Sequence, residues 1–575
     1  MKEFVELKRI ALRNLGRHKA KTCLTCTAIM VSVAVYIWMD SWLGGVFMES
    51  RRNIINYEMG AAKLQTKLYF DKHDEMPAYE NFAGWESYVA ILDAAGYNVA
   101  PRYAFSGTIY STSGSAPLVV NAVDPTAEAK TLSYTTYVEL GRYIQNSEFG
   151  IALGAQTADK LKVGVPTRPT AQELDDLILN SGAEHADQAF IRSCYRQVEA
   201  KTQFGETKDY AQDRAKDRMA LRPDISKADA DKLWALFDAT GRNDIRISTV
   251  IDYKLAPEQI SKNKWEAELW PLLSPAEQRL VSAVYDFDEP TGSYLLAEQD
   301  EAKQNAALQS MIRVDFSGAL RHVNQVIDAK VVGMINSPDP FNNFNIGYMP
   351  LDVLQDEAGM MLEGHVTELL IRDKALGAAD MNSKLESAEA IRAALDAGLA
   401  AQGKHLPEEL DVRFWTDYVS DYLSYEGMEN GTTKVFSLLL FFLALIGISN
   451  TILLAILERT KETGMMRALG MTDSQIIFAY MLEAAALGLI GSILGIILGC
   501  ILNIPMVNTG VDFSEMMEQM SGSMGYRIAG NFRGIWRPET IIATGIVATL
   551  LSSLMAFFPA SRATKMAITE SLRFE

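Results

Sequence analysis

Residues 458–476, ERTKETGMMRALGMTDSQI, hold the side chains best suited to contact another protein. The segment is helix-prone up to Leu469, and Met465, Met466 and Leu469 would give that helix an apolar edge beside charged residues. Gly470 can end it. A soluble partner could receive such a helix in a groove, whereas a plain linker would need fewer residues. The residues predicted to make this contact are Glu458, Arg459, Glu462, Gly464, Met466, Arg467, Leu469 and Gly470.

Catalytic motifs are absent from the 575 residues. No G-x-x-x-x-G-K-[ST] loop is present to hold a nucleotide phosphate, and the six histidines lack H-E-x-x-H spacing. A calcium loop needs glycine at its sixth position, but in the stretch that begins at Asp238 the glycine is fourth. Cys23 and Cys26 form a C-x-x-C at the start of an apolar run, where small apolar packing is the simpler interpretation. We therefore predict no enzymatic activity and no cofactor or metal site in this chain.

Four apolar runs are long enough to cross a bilayer, which takes ~20 residues. They cover residues 23–47, 435–457, 477–502 and 540–558. The first run is too long for a signal peptide and lacks a small-x-small cleavage site, so we expect a retained anchor.

The third run contains Gly491, Gly495 and Gly499, a repeated G-x-x-x-G. This spacing puts the glycines on one face, where another helix can approach closely. This row of glycines can serve the packing of helices within one chain or the pairing of two subunits. Glu483 is a candidate functional acid because acids within membrane spans are functional candidates by default. Near the start of the span, the alternatives are that it is solvated or that it favours the amino end of the helix. Asp40 lies near the outer end of the first run, and its side chain is expected to reach the interface between membrane and water.

Charge orients the chain. Residues 1–22 hold seven Lys/Arg against two Glu, which keeps them in the cytoplasm as an amphipathic surface helix. The loop 458–476 and the tail 559–575 then also lie inside. Segment 48–434 and the short loop 503–539 lie outside. The whole chain has a net charge of −18, although residues 1–22 are basic. The large outer segment must therefore be strongly acidic, which argues against nucleic acid as a partner.

The outer segment alternates strand-like and helical stretches, which predicts an α+β domain. Strands are expected at 117–123, 149–154, 327–335, 344–349 and 366–372, and helices at 84–96, 155–162, 351–359 and 383–402. Residues 167–316 have amphipathic helical patches and are predicted to be an inserted helical subdomain. Residues 411–434 would form a helical stalk into the second span, with Gly427 and Gly431 able to break it. The fold class is thus a membrane protein with four transmembrane helices and a large periplasmic α+β domain carrying a helical insertion.

Residues 458–476, followed by LEAAALGLIGSILGIILG, resemble the cytoplasmic loop and third helix of FtsX/MacB-type ABC transporter permeases. The final PASRATKMAITESLRFE resembles the carboxyl terminus of that family. The resemblance implies a permease in the bacterial inner membrane that pairs with a second, identical or different, permease subunit. A separate ABC ATPase subunit, which binds ATP and Mg²⁺, would push on the 458–470 loop.

Residues 68–83, 119–144 and 149–165 resemble the periplasmic domain of lipoprotein-releasing permeases of the LolC/LolE type. This narrower resemblance implies that a lipoprotein is pulled from the membrane by mechanotransmission and passed to a periplasmic chaperone. The sequence VGVPTRP departs from the pattern, and the insertion follows it. That insertion is either a docking module for a partner or substrate, or a decoration of this lineage.

Two other functions fit the same family. MacB-like efflux of a peptide or drug normally has an ATPase fused at the amino terminus. FtsX-like control of a cell-wall hydrolase normally has a small outer domain, unlike the 48–434 segment.

Overall fold

The computed structural model describes residues 19–199, 208–254, 257–298, 320–356, 363–375, 385–458, 460–512 and 531–565, with a few single residues between these ranges. The described chain divides into a helical unit (residues 19–49, 420–512 and 531–565) and an α+β unit (residues 50–419). The amphipathic helix predicted for 1–22 lies almost wholly outside the described residues, as does most of the 559–575 tail.

The elements are numbered in chain order. The α-helices are α1 Lys19–Asn53, α2 Lys67–Asp71, α3 Trp85–Ala94, α4 Pro125–Thr131, α5 Ala155–Leu161, α6 Ala171–Asn180, α7 His185–Ser193, α8 Lys208–Ala215, α9 Lys227–Asp238, α10 Lys262–Lys264, α11 Pro275–Ser282, α12 Leu351–Asp356, α13 Ala388–Ala401, α14 Trp415–Tyr418, α15 Ser420–Glu458, α16 Thr460–Ala468, α17 Asp473–Asn508, α18 Pro538–Met555 and α19 Phe557–Ala563. The strands are β1 Ala62–Thr66, β2 Phe82–Ala83, β3 Tyr97–Tyr110, β4 Ser115–Val123, β5 Val138–Gly141, β6 Gly150–Gly154, β7 Tyr195–Gln197, β8 Met219–Leu221, β9 Asp244–Lys254, β10 Gln259–Ser261, β11 Tyr285–Asp288, β12 Ser293–Leu296, β13 Leu320–Ile335, β14 Ile346–Pro350, β15 His365–Val366, β16 Glu368–Asp373, β17 Leu410–Phe414, β18 Val511–Asp512 and β19 Asn531–Phe532.

Three helices within the described residues are long and apolar enough to cross a membrane: Thr22–Met59, Asp473–Asn508 and Pro538–Arg562. They contain the first, third and fourth predicted spans. The second predicted span lies in α15, where many side chains are outside the description, and it stays a prediction.

The stalk prediction needs two corrections. Its first residues form strand β17, and the long helix α15 begins only at Ser420. Gly427 and Gly431 do not break α15, which continues unbroken through both positions. A glycine in a helix costs only about 1 kcal/mol relative to alanine, and a helix of 39 residues tolerates two of them.

The α+β unit is built on a ten-stranded sheet in the order β17-β1-β16-β3-β4-β14-β6-β13-β5, with β9 pairing to β13 and β3. Most neighbours are antiparallel, but β14 runs parallel to β4, and β13 runs parallel to β6. The α+β prediction for this unit is confirmed.

The prediction that 167–316 is a helical insertion was wrong. It contains helices α6 to α11, but also strands β7 to β12, and β9 pairs with β13 along its whole length from Asp244 to Lys254. The buried residues Ile245, Ile247 and Ile251 alternate with exposed or half-buried ones, which is the two-residue period of a strand. Apolar residues from the insertion also share one core cluster with the main sheet, so it is continuous with the α+β unit.

A buried ion-pair network ties the sheet to helix α4. The Arg102 guanidinium on β3 pairs with Glu128 on α4 and lies 4.0 Å from Glu368 on β16. Lys63 on β1 pairs with the same Glu368 at 2.8 Å. Burial lowers the pKa of Arg102, but the charges of Glu128 and Glu368 outweigh it and raise the pKa above its ordinary value. Because removing one member would leave a buried charge uncompensated, this network fixes the register of these elements.

His365 on β15 joins helix α11 of the inserted region to the two-stranded β2–β15 sheet. Its Nδ1 lies 2.7 Å from the Asn81 side-chain oxygen, and its Nε2 lies 3.1 Å from Glu277 Oε1 on α11. Asn81 donates its amide to the Ala78 carbonyl, so its oxygen must face the histidine. The side chains of Asn81, His365 and Glu277 thus form one buried hydrogen-bonded chain.

Glu277→Gln should destabilise the protein by about 2 kcal/mol, because glutamine has one acceptor oxygen where the carboxylate uses two, toward Ser274 N–H and toward His365 Nε2. Glutamine can still accept from the Ser274 backbone N–H and so preserves the capping box of α11. The measurement is the chemical-denaturation midpoint of the purified protein. Asp328→Asn, which breaks an exposed pair with Arg246, is the control and should leave the midpoint nearly unchanged. Equal midpoints for the two variants would contradict the assignment.

Candidate functional site

The short helix α16 is bounded by residues suited to a sharp turn. Gly470 has a φ of +99°, a conformation that glycine adopts without strain, and its N–H donates to the Arg467 carbonyl at 3.1 Å. Thr472 then caps α17. Its side chain accepts from Gln475 N–H, and the Gln475 side chain accepts from Thr472 N–H. Four residues thus separate the two helices.

One face of α16 is fixed to α17. The hydroxyl oxygens of Thr463 and Tyr480 lie 2.9 Å apart, and both residues are buried. The Arg467 guanidinium pairs with Asp473, the first residue of α17, at 3.0 Å. Thr460 and Gly464 are buried on the same side. These contacts hold α16 in a single orientation.

The opposite face of α16 is exposed and partly apolar. Leu469 is 81% exposed and Met465 is 53% exposed. Lys461 and Glu462 are exposed with them. An apolar pair with charged neighbours on a short helix has the composition of a surface that inserts into a partner's groove.

The structure divides the predicted contact residues among three environments. Glu462, Leu469 and Gly470 are exposed, whereas Met466 and Arg467 are partly buried and Gly464 is buried. Glu458 ends α15, and Arg459 lies outside the described residues. The sequence analysis missed Thr463 and Tyr480. A tyrosine inside an apolar run was the available signal, because a buried hydroxyl needs a partner.

The glycine row of α17 packs on α1. A Cβ atom at Gly491 would lie 2.9 Å from Ile29, at Gly495 2.7 Å from Val33, and at Gly499 3.1 Å from Ile37. Real Cβ contacts are rarely shorter than 3.0 Å, so only glycine permits this approach at the first two positions. Within one chain the row is thus used for intramolecular packing. Cys26 is also buried there, and its Sγ lies 3.8 Å from the Leu487 carbonyl.

A segment before α18 contacts α1 at Asp40 and Ser41 and α17 near its carboxyl end. Ser41 makes two hydrogen bonds with Ile535. The Ser41 hydroxyl donates to the Ile535 carbonyl at 2.6 Å, and the Ile535 N–H donates to the Ser41 carbonyl at 3.1 Å. Arg537 pairs with Asp40 at 2.9 Å. Gly534 N–H donates to the Met506 carbonyl of α17. Asp40 therefore has a charged partner within the chain, and the expectation that it simply reaches the interface was incomplete.

Glu483 lies on α17 one turn after Tyr480 and is partly buried. Its role as a functional intramembrane acid stays a prediction. Among the described residues, no group of three His, Cys, Asp or Glu side chains is placed to hold a metal ion.

Gly495→Leu should lower the stability of the helical unit by about 2 kcal/mol, because the side chain would enter the space of Val33. Gly427→Leu in α15 is the matched control, since a Cβ there meets no atom within 4 Å. The measurement is the thermal unfolding temperature of each variant in detergent. If the two variants unfold at the same temperature, the glycine row does not hold α1 against α17.

Comparisons with known proteins concentrate on this unit. Residues 434–568 match the family model for the FtsX-like permease C-terminal domain. Over 130 residues the chain is 33% identical to an uncharacterized ABC transporter permease of Methanocaldococcus jannaschii, a match that covers 23% of this chain and 29% of that protein.

Two further relatives are macrolide export ATP-binding/permease proteins MacB. The one from Chlorobium luteolum is 28% identical over 168 residues, or 27% of this chain and 22% of that protein. The one from Pectobacterium atrosepticum is 30% identical over 130 residues, which cover 23% of this chain and 17% of that protein. The chain thus spans less than a third of the length of the relatives it matches. Residues 434–568, which contain α16 and the glycine row, are therefore similar to the FtsX-like permease C-terminal domain, and the relatives are named as an ABC transporter permease and as MacB proteins.

Proposed function

We propose that this chain is the permease subunit of an ABC transporter and that a separate ATPase docks on α16 from the cytoplasm. The exposed apolar edge of α16, Met465 and Leu469, carries the proposal, because a helix held rigidly on one face offers its other face to a partner. The match to an FtsX-like permease domain over the same residues supports it. The partner would bind ATP and Mg²⁺, since the 575 residues contain no phosphate-binding loop.

In this proposal the chain lies in a bacterial inner membrane and pairs with a second permease subunit. The α+β unit would lie in the periplasm, where nucleotide-driven movement does work by mechanotransmission. Nothing need pass through the membrane in such a mechanism.

Two kinds of work are candidates. Release of lipoproteins to a periplasmic chaperone is favoured by the resemblance of residues 68–83, 119–144 and 149–165 to lipoprotein-releasing permeases. The acyl chains of a lipoprotein need such work, because each buried CH₂ contributes about 0.8 kcal/mol to anchoring. MacB-like export is favoured by the relatives named as macrolide exporters.

Leu469→Glu should reduce the ATPase recovered with the affinity-tagged chain by about tenfold or more, because a buried leucine contributes roughly 1.5–3 kcal/mol. The measurement is ATPase activity and subunit content after purification from native membranes in mild detergent. Leu179→Glu, which changes a leucine of similar exposure in the α+β unit, is the control and should retain the ATPase. Full recovery with Leu469→Glu would refute docking on α16.

The two kinds of work predict different companions of the purified complex. Lipoprotein release predicts a lipidated protein and a soluble chaperone that binds it. Export predicts an outer-membrane channel. Mass spectrometry of the crosslinked complex separates the two, and capture of a cell-wall hydrolase instead would favour FtsX-like signalling.

A further inference from the structure

We infer that movement of the docked ATPase enters the membrane helices through α17, by way of the Thr463–Tyr480 hydroxyl pair. The inference rests on the proposed function, because it assumes that the ATPase pushes on α16. It adds the route that the push takes and the positioning residues on that route.

Polar contacts attach α16 to α17 at two separated positions. Arg467 holds Asp473, the first residue of α17, and Thr463 holds Tyr480, seven residues further along. At about 1.5 Å rise per residue, these points are about 10 Å apart along α17. Two separated attachments fix both the position and the tilt of α16, so α16 cannot pivot about either one. A push on its exposed face therefore displaces α17.

The hydroxyl pair is the attachment that water weakens least. Thr463 and Tyr480 are 4% and 7% exposed, whereas Asp473 is 55% exposed at its side chain. A hydrogen bond in a buried, low-dielectric place has no water molecule to replace it, but an exposed ion pair is screened. The Thr463–Tyr480 pair should therefore transmit more of the displacement of α16 to α17 than the Arg467–Asp473 pair does.

Beyond Tyr480 the route continues to α1. The Tyr480 ring belongs to the same buried cluster as Ile29, Val33 and Ile37 of α1. The last three lie so close to the glycine row of α17 that a Cβ atom added at the glycines would come within 3.1 Å of them. Since closely packed helices transmit displacement with little compression, α17 and α1 should move together. The chain of α1 continues into the α+β unit at residue 50.

The test uses the full chain purified with its ATPase and reconstituted in lipid vesicles. Tyr480→Phe and Thr463→Val each remove one hydroxyl and keep the size of the side chain. We expect the permease-dependent kcat for ATP hydrolysis to fall about tenfold, the typical effect of one lost buried hydrogen bond. The KM for ATP and the amount of ATPase bound should stay unchanged. Thr463→Ser retains the hydroxyl and should restore wild-type kcat.

Each other result overturns the inference. An unchanged kcat in Tyr480→Phe and Thr463→Val would show that the hydroxyl pair carries no load. A loss of bound ATPase in these variants would show that the pair only folds the docking helix. Failure of the proposed function is recognised separately, because it would appear as full ATPase recovery with Leu469→Glu.

Discussion

The close approach of α17 to α1 is the constraint on which the helical unit depends. Three glycines four residues apart leave no side chain between the helices, so Ile29, Val33 and Ile37 lie against the backbone of α17. Lipid supplies no hydrophobic force between helices, and contact has to come from close packing and polar bonds. The glycine row provides the close packing of α1 on α17, and polar bonds near each end of α17 hold the segments beside it.

Those bonds differ at the two ends of α17. At the end near α16, a hydroxyl pair and an ion pair hold a short helix whose other face is exposed. At the far end, Ser41 and Asp40 hold the segment that contains Ile535 and Arg537. Helix α17 thus makes polar contacts near both of its ends, and the exposed Met465 and Leu469 lie at the end near α16.

Different contacts hold the α+β unit together. Its insertion has no separate core and shares the main cluster, to which β9 adds a strand. Buried polar contacts then fix the arrangement: Arg102 pairs with Glu128 and Glu368, and His365 Nε2 lies 3.1 Å from Glu277. Such pairs contribute little net stability, but a wrong arrangement would leave a charge unmatched, so they select one register.

Local features followed from the sequence alone. The length of three apolar helices, the turn at Gly470, the glycine face of α17 and the α+β class depend on spacing within one element, and spacing is visible in the chain. Only the tertiary structure decided which helix meets the glycine face, that Tyr480 binds Thr463, that β9 joins the main sheet and that His365 meets Glu277. These choices depend on partners far apart in sequence, 494 residues in the case of Ser41 and Ile535. Periodicity gives each element a face, whereas the packing of the whole chain determines what that face contacts.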